Sequence, residues 1–406
     1  MTDVQARIEA ARWLRRDSLK QLVAALDPQR GLCRYVGGVV RDTLRGSAVN
    51  DIDMATILKP EEVMKRLKSH EIKVVPTGID HGTVTAVLPD GHVEITTLRR
   101  DVSTDGRRAT VAFSDDWRED AARRDFTINA LYLDPHSHEV HDYFDGQDDL
   151  AKGMVRFIGS AEERICEDYL RILRFFRFTA RFAKGEPDKT ALEACANQAA
   201  GLKSLSRERI ASEILALLSL ENPAHATGMM FDINIWNEII PETQAERQSQ
   251  LFRLIAREQQ HNVAPFAPSR LLCLLPEDAR LVDKIASRLR FSNKMRKKIS
   301  ALLSRHDATQ ANARALAYRF GEEIAVQKLL LSADNNEIDP ALDMLVGWER
   351  PEFHVSGRHI VAAGVPAGPD VSSALQEIEE QWIAEGFPPG DRQAEICDTV
   401  SQSYTT

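Results

Sequence analysis

Hydrophobic and polar positions follow two different rhythms along this chain. Up to about residue 150, short runs rich in β-branched residues recur between turn-forming glycines and prolines: Cys33–Val36, Ile52–Ala55, IKVVP, GTVTAVL, HVEITTL and NALYLD. Runs of that length and punctuation predict strands of a mixed sheet. An amphipathic stretch from Ile8 to Leu26 predicts one helix packed against it. From Ala161 onward such runs nearly vanish and Ala, Leu, Arg and Glu recur at helical spacing. That half is predicted to be all helix, broken at Pro187, Pro223, Pro241, Pro265–Pro268, Pro340 and the cluster Gly364–Pro369. The expected fold class is therefore α+β, a mixed-sheet head followed by helices. No fixed-period repeat or low-complexity tract interrupts it.

A chain of 406 residues exceeds one ordinary core, so roughly two to four domains are expected. The five cysteines are scattered without a C-x-x-C pair, which fits a reducing compartment better than a zinc site or disulfide framework. The first residues carry Asp3, Glu9 and Asp17 where a targeting peptide would have none, and no apolar run approaches the roughly 20 residues that cross a bilayer. A soluble cytoplasmic protein is expected. The net charge of −9 argues against a nucleic-acid partner, but charge is unevenly spread and its local concentration matters more. Between Arg164 and Arg181 five arginines stand against Glu167 and Asp168. Lys294, Arg296, Lys297 and Lys298 form a second basic patch, a candidate RNA-binding surface or a solvated helix face.

The segment YVGGVVRDTLRGSAVNDIDMAT joins a strand, Gly37-Gly38, a short helix and a loop to Asp51-Ile-Asp53. Paired glycines before a helix let phosphate oxygens approach the backbone, and Arg41, one turn in, is placed to reach the same phosphates. Carboxylates at i and i+2 of a strand share a side, repel one another, and suit Mg²⁺ that also binds triphosphate. Two ions about 4 Å apart would activate an attacking hydroxyl and stabilise the pyrophosphate leaving group. Taken singly, the glycines read as a tight turn and Asn50-Asp51 as a turn cap. Their combination resembles the signature of the polymerase-β-like nucleotidyltransferases. A third carboxylate is then expected on a neighbouring strand, with Glu94 the candidate and a cross-strand salt bridge its alternative.

Further along, Arg123-Arg124-Asp125-Phe126-Thr127-Ile128-Asn129 puts Arg124 and Asn129 forward as phosphate and ribose contacts, with helix capping by Asp125 or Thr127 as the other reading. DYFDGQDDL (142–150) is predicted to be a turn, with Asp145-Gly146 favouring left-handed backbone. RICEDYLRILRFFRFTARF is predicted to be one helix. Ile165, Tyr169, Ile172, Leu173 and Phe176 form its apolar stripe, and Arg164, Asp168, Arg171, Arg174, Arg177 and Arg181 its polar half. Asp accepts from an exocyclic amino group and Arg donates to the adjacent ring acceptor. Asp168 with Arg171 would thus admit cytosine and adenine and reject uracil and guanine. The plainer alternative is an i,i+3 ion pair worth about 0.2–0.5 kcal/mol.

GGVVRD…DID, RRDFTINAL, DYFDGQDDL, EDYLRILRFFRF and LSRERIASEILALL occur in the order seen in class II CCA-adding enzymes and bacterial poly(A) polymerases, a resemblance spanning about residues 30–220. It implies a catalytic nucleotidyltransferase head (1–150), a base-selecting neck (151–222), a helical body (223–340) and a helical tail (341–406). The last three would be all-α, and body and tail would hold tRNA. By the same resemblance Asp51 and Asp53 are the metal ligands, with Mg²⁺ as cofactor. Gly38 and Arg41 contact triphosphate, and Arg124, Asp168, Arg171, Arg174 and Arg177 contact or select the nucleotide. TTLRRDVSTDGRRATVAF is similar to the family's flexible loop, with Asp105-Gly106-Arg107 as a lever. Arg207 and Glu213 match a neck-stabilising motif, and VSGRHIVAAGVPAGPDVSSAL resembles the tail. The implied activity is addition of C, C and A to tRNA 3′ ends from CTP and ATP, by a monomer or homodimer. Alternatives are a poly(A) polymerase, an enzyme adding only the two C residues or only A, a non-catalytic tRNA-binding module, and a phosphohydrolase built on His306-Asp307.

Overall fold

A computed structural model describes residues 3–26, 31–105, 108–304 and 308–405, with no account of the side chains of residue 80 and residues 101–111. The chain divides into two compact units, Met1–Ala245 and Glu246–Thr406.

In the first unit seven strands form one sheet in the order β3-β4-β5-β2-β1-β8-β9. They are β1 (Cys33–Val36), β2 (Ile52–Thr56), β3 (Lys73–Gly78), β4 (Thr83–Leu88), β5 (Gly91–Thr97), β8 (Leu131–Leu133) and β9 (Val140–Asp142). Only β2 and β5 run parallel, and their register sets Asp53 beside Glu94. Every run expected to be a strand is one. The segment expected as a flexible loop pairs as a separate hairpin, β6 (Arg99–Asp105) with β7 (Arg108–Phe113). Gly106 and Arg107 of the expected lever lie outside the described residues, as do His306 and Asp307.

The sheet's two faces do different work. Ile52, Met54, Val93 and Ile95 point into the main head core with Leu19 and Leu22 of α2 (Asp17–Leu26) and Val40 of α3 (Gly38–Arg45). Successive side chains on a strand alternate, so Asp53, Ala55 and Glu94 face the other way. There Ala55 joins a smaller cluster with Leu98, Ala121, Ala130 and Tyr132. That second face carries the acids expected at the site.

Several expected helices are cut differently. Ile8–Leu26 is not one helix but α1 (Asp3–Ala10), a tighter turn Arg12–Arg15, and α2. Ala11 and Arg16 are extended, while Trp13 is drawn onto the sheet, donating to Thr43 Oγ1 at 2.9 Å and packing edge-on against Tyr35. A tertiary anchor overrides the local periodicity. The arginine-rich helix is also two: α7 (Ala161–Glu167) and α8 (Leu170–Phe182). Asp168 is extended and its Oδ1 accepts from the Leu170 amide at 3.1 Å, so it caps the new helix rather than continuing the old one. DYFDGQDDL is a turn only as far as Asp145, which is itself left-handed; Gly146 begins α6 (Gly146–Lys152). A Cβ on Gly146 would stand 2.3 Å from the Thr127 carbonyl oxygen, so this glycine supplies room rather than handedness. The intervening and following helices of this unit are α4 (Pro60–Ser69), α5 (Trp117–Ala122), α9 (Lys189–Asn197), α10 (Arg207–Leu218), α11 (Ala224–Asp232) and α12 (Ile235–Ile239).

Among its described residues the second unit is helical throughout, from α13 (Gln248–Gln260) to α22 (Gly390–Ser403). Pro340 does not break a helix but sits inside one, Asn335–Asp343, which forgoes the one donor proline lacks. A buried ion pair joins Glu258 to Arg270 at 2.6 Å. A separate core gathers Ile378, Trp382, Ile396 and Val400 near the C-terminus. No helix among the described residues is long and apolar enough to cross a membrane.

Candidate active site

The site begins where β1 ends. Gly37 has φ +72, and a Cβ there would meet Arg124 Nη1 at 3.3 Å and the Asn129 carbonyl oxygen at 3.6 Å. The left-handed backbone is what calls for glycine. Its amide donates to the Leu131 carbonyl at 3.0 Å, and α3 starts at once with its free amides at this turn. Arg41 lies beneath the turn, not on its surface. It is 5% exposed and its guanidinium sits 4.5 Å from the Phe182 ring and 5.3 Å from that of Phe178. Nε donates to Asp42 Oδ1 at 2.9 Å and Nη1 to Asn129 Oδ1. Burial pulls the Arg41 pKa below its ordinary value against the opposing effect of Asp42, though guanidinium remains protonated at any ordinary pH.

Asp51 is exposed at the start of β2 and Asp53 half-buried within it. Burial first, then the charges of Glu94 and Asp51, push the Asp53 pKa above the usual carboxylate value, with Arg124 opposing them. Glu94 and Asp51 thus both act on Asp53, and Glu94 makes no ion pair with a described residue. Among the described residues no three His, Cys, Asp or Glu side chains converge closely enough to hold a metal by themselves. A donor set of this kind fits a cation held by two aspartates and completed by substrate oxygens, which is how Mg²⁺ commonly binds beside phosphates.

Arg124 flanks these acids from α5's end. Its Nε donates to Tyr132 Oη at 3.2 Å and its Nη2 to Asp120 Oδ2 at 3.2 Å, while Tyr132 Oη donates to the same Asp120 oxygen at 2.8 Å. Asp120 is 1% exposed and also binds Arg123. Burial alone would raise its pKa, but Arg124 and Arg123 outweigh burial and leave it lowered. Asp120 and Tyr132 were not singled out from the sequence; their separation of twelve residues carries no local signal.

On α8 each arginine expected at the nucleotide is held by a carboxylate. Arg174 donates from Nε to Asp125 Oδ2 at 2.7 Å, and Arg177 from Nε to Glu213 Oε2 at 2.6 Å. Arg171 binds Glu167 and the Arg164 carbonyl. Asp168 Oδ2 accepts from Arg209 Nη2 at 2.6 Å, so the side chain that meets Asp168 is Arg209 rather than Arg171. The break at Asp168 is the reason, since the i,i+3 geometry of one continuous helix is lost there. Neither Asp125 nor Thr127 caps a helix: Asp125 binds its own neighbour's amide and Asn129, and Thr127 Oγ1 donates to Asp149 Oδ2 at 2.5 Å. Glu213 reaches the site from α10, while Arg207 only opens that helix.

In the second unit Lys294, Arg296, Lys297 and Lys298 lie on one helix, Asn293–Leu302. Arg296 pairs with Asp283 at 2.7 Å and Lys298 with Glu323, leaving Lys294 and Lys297 exposed.

Comparison with known proteins bears on the family. Residues 33–156 match the family model of the poly A polymerase head domain, and residues 186–246 that of the probable RNA and SrmB-binding site of polymerase A. The mitochondrial CCA tRNA nucleotidyltransferase 1 of Mus musculus is 33% identical over 393 residues, covering 91% of this chain and 87% of that protein. The Homo sapiens protein of the same name is 34% identical over 386 residues, with 91% and 87% covered. The fold is that of the Bacillus stearothermophilus CCA-adding enzyme crystallised with CTP, at TM-score 0.74 and 24% identity over 96% of this chain and 99% of that one. Identity of about one third sustained over nine-tenths of the chain settles the family. The chain belongs to the CCA tRNA nucleotidyltransferases.

Proposed function

We propose that this protein adds C, C and A to the 3′ end of tRNA from CTP and ATP, without a nucleic-acid template and with release of pyrophosphate. The observation that carries it is continuity. Arg41 under the glycine turn, Asn129, Asp125 and Arg174 on α8 form one hydrogen-bonded series, which would join a phosphate end of the site to a base end. A triphosphate laid on the Gly37-Gly38 turn would extend its base toward α8.

Asp51 and Asp53 would hold Mg²⁺, with Glu94 beside them. Bound there, such ions favour the deprotonated 3′-hydroxyl and neutralise the departing pyrophosphate. The chain's own groups do the rest. Arg124, braced by Asp120 and Tyr132, offers a fixed cation beside the acids. Asp168 and the arginines of α8 judge the base by its amino-plus-acceptor edge, which cytosine and adenine share. For Asp168 to accept from that amino group, the base must share the carboxylate with Arg209. The exposed Lys294 and Lys297 are candidates for contact with the RNA backbone.

The test is an incorporation assay with tRNA transcripts lacking CCA, lacking the terminal A, or complete, each supplied with one labelled triphosphate at a time. The expected products are two C residues on the first, one A on the second and nothing on the third. Long A tails would instead identify a poly(A) polymerase, and silence with CTP or with ATP a partial enzyme.

A further inference from the structure

We propose that the open strip of sheet between Glu94 and the free edge at β3 is the track of the acceptor RNA's single-stranded 3′ end, with Val87 and His92 as a platform for its bases and Lys73 as a phosphate contact. This rests on the nucleotide-transfer reading above and extends it from the incoming triphosphate to the strand that receives it.

The order of the strands sets the side. The Gly37-Gly38 turn follows β1, and β1 and β5 flank β2 on opposite sides. A triphosphate on that turn has its departing pyrophosphate on the β1 side of the acids, and an in-line displacement brings the attacking hydroxyl from the opposite side. That side is β5, then β4, then β3, where the sheet ends. With strands about 4.8 Å apart, the path from β2 to β3 is about 14 Å long, room for more than one nucleotide.

Register then names the side chains along the path, because residues paired across neighbouring strands share a face. Thr85 pairs with Glu94 and Val87 with His92, while Val75 pairs with Thr85 and Lys73 with Val87. Glu94 pairs with Asp53, so all of these stand on the face that carries the acids. The alternate residues Val84, Ala86 and Val93 fill the core on the other face.

Exposure sets this strip apart from the rest of the head. Among the described residues of the first unit, the large apolar side chains left exposed are Val75, Ile79, Val87 and Phe113. Three of them lie on β3, on β4 or in the turn between them, and Phe113 lies against Gly82 just before β4. Val75 is 38% and Val87 39% exposed, and His92 and Lys73 are exposed beside them. Neither Lys73 nor His92 makes an ion pair with a described residue. Beneath them Thr85, 8% exposed, shares a 2.8 Å hydrogen bond with Thr77, which closes the floor between β4 and β3. An apolar floor flanked by an imidazole, with a lysine at its outer rim, matches the flat bases and spaced phosphates of a single strand.

The experiment measures binding of two tRNA transcripts, one ending in CC and one cut back to its base-paired acceptor stem, by the wild type, Lys73→Ala and the double variant Val87→Ser with His92→Ala. Single-turnover addition of A to the first transcript and thermal unfolding of each protein are recorded alongside. The double variant should bind the CC-ended transcript about tenfold or more less tightly, the scale of a lost base stack. Its binding of the cut-back transcript, its KM for ATP and its preference for ATP over GTP should hold. Lys73→Ala should flatten the slope of log affinity against log salt by about 0.7 for the CC-ended transcript, one phosphate contact of a single strand, and leave the slope for the other unchanged. Unchanged affinity for the CC-ended transcript in a folded double variant, an equal loss for both transcripts, or a loss confined to the KM for ATP would each overturn the proposal. If the double variant does not fold, the exposed Lys73→Ala carries the test, and a salt slope that stays put or changes equally for both transcripts overturns it. A wild type that fails to add C and A would instead sink the nucleotide-transfer reading itself.

Discussion

The two ends of this site are built on opposite electrostatic plans. At the sheet, Asp51, Asp53 and Glu94 crowd like charges with Arg124 as the nearby cation. On α8 and the elements around it, Arg171, Arg174, Arg177 and Arg181 are each matched to a carboxylate, from Glu167, Asp125, Glu213 and Asp42. Under the proposed function, the difference separates two kinds of work. A surplus of carboxylate is what a cation-dependent reaction needs, and it weakens the fold locally. A base reader must instead hold its donors still before the base arrives, which balanced and partly buried ion pairs accomplish.

The largest expected effect attacks the unbalanced end. Asp53→Asn should lower single-turnover incorporation of both C and A by at least about a thousandfold, the scale of lost metal-assisted charge stabilisation. Because the substitution removes a charge facing two others, the melting temperature should stay level or rise. Retained turnover, or a clear fall in melting temperature, would show that the two ends are not built on opposite plans.

A smaller effect is expected at the balanced end. Asp168→Ala should cut discrimination of CTP and ATP against UTP and GTP by roughly ten- to a hundredfold while changing triphosphate affinity little, since one bidentate base contact is worth that much. Measured misincorporation ratios that do not move would leave Asp168 as a helix cap and a partner for Arg209, nothing more.

The smallest is a dependence of stability on pH. Burial opposes ionisation of Asp125, but Arg174 and the Asn129 hydrogen bond outweigh it and lower its pKa. A group depressed in the folded state contributes stability that is whole above the unfolded carboxylate value, about 3.9, and disappears as pH falls below it toward the folded value. Asp125→Asn should thus melt a few degrees below the wild type near neutral pH, about 2–4 °C for each kcal/mol in a unit of this size, and the gap should close in acid. A gap that persists unchanged at low pH would mean the Asp125 carboxylate contributes by shape alone.

Much of this was legible in the chain itself. The strands at Cys33–Val36, Ile52–Ala55 and the later β-branched runs needed only alternation and turn residues. Asp51, Asp53 and the Gly37-Gly38 turn were legible because their partners lie within one strand-turn-helix unit, where spacing translates directly into geometry. Glu94 was reachable by supposing a neighbouring strand, and the parallel register supplied it. Four pairings were not legible, since Asp125 meets Arg174, Asp120 meets Tyr132, Arg209 meets Asp168 and Asp42 meets Arg181 across separations that no local period encodes. Three-residue strand β9 escaped for a simpler reason: it is too short to alternate visibly.

Sequence alone determined the acid pair, the glycine turn, the arginine-rich stretch and the change from sheet to helix, because all are properties of neighbours along the chain. Tertiary structure alone decided that Trp13 would break the first helix. It also decided which carboxylates Arg174, Arg177 and Arg181 would take. Those choices belong to groups far apart in the chain, and a buried charge accepts whichever partner folding brings within hydrogen-bonding reach.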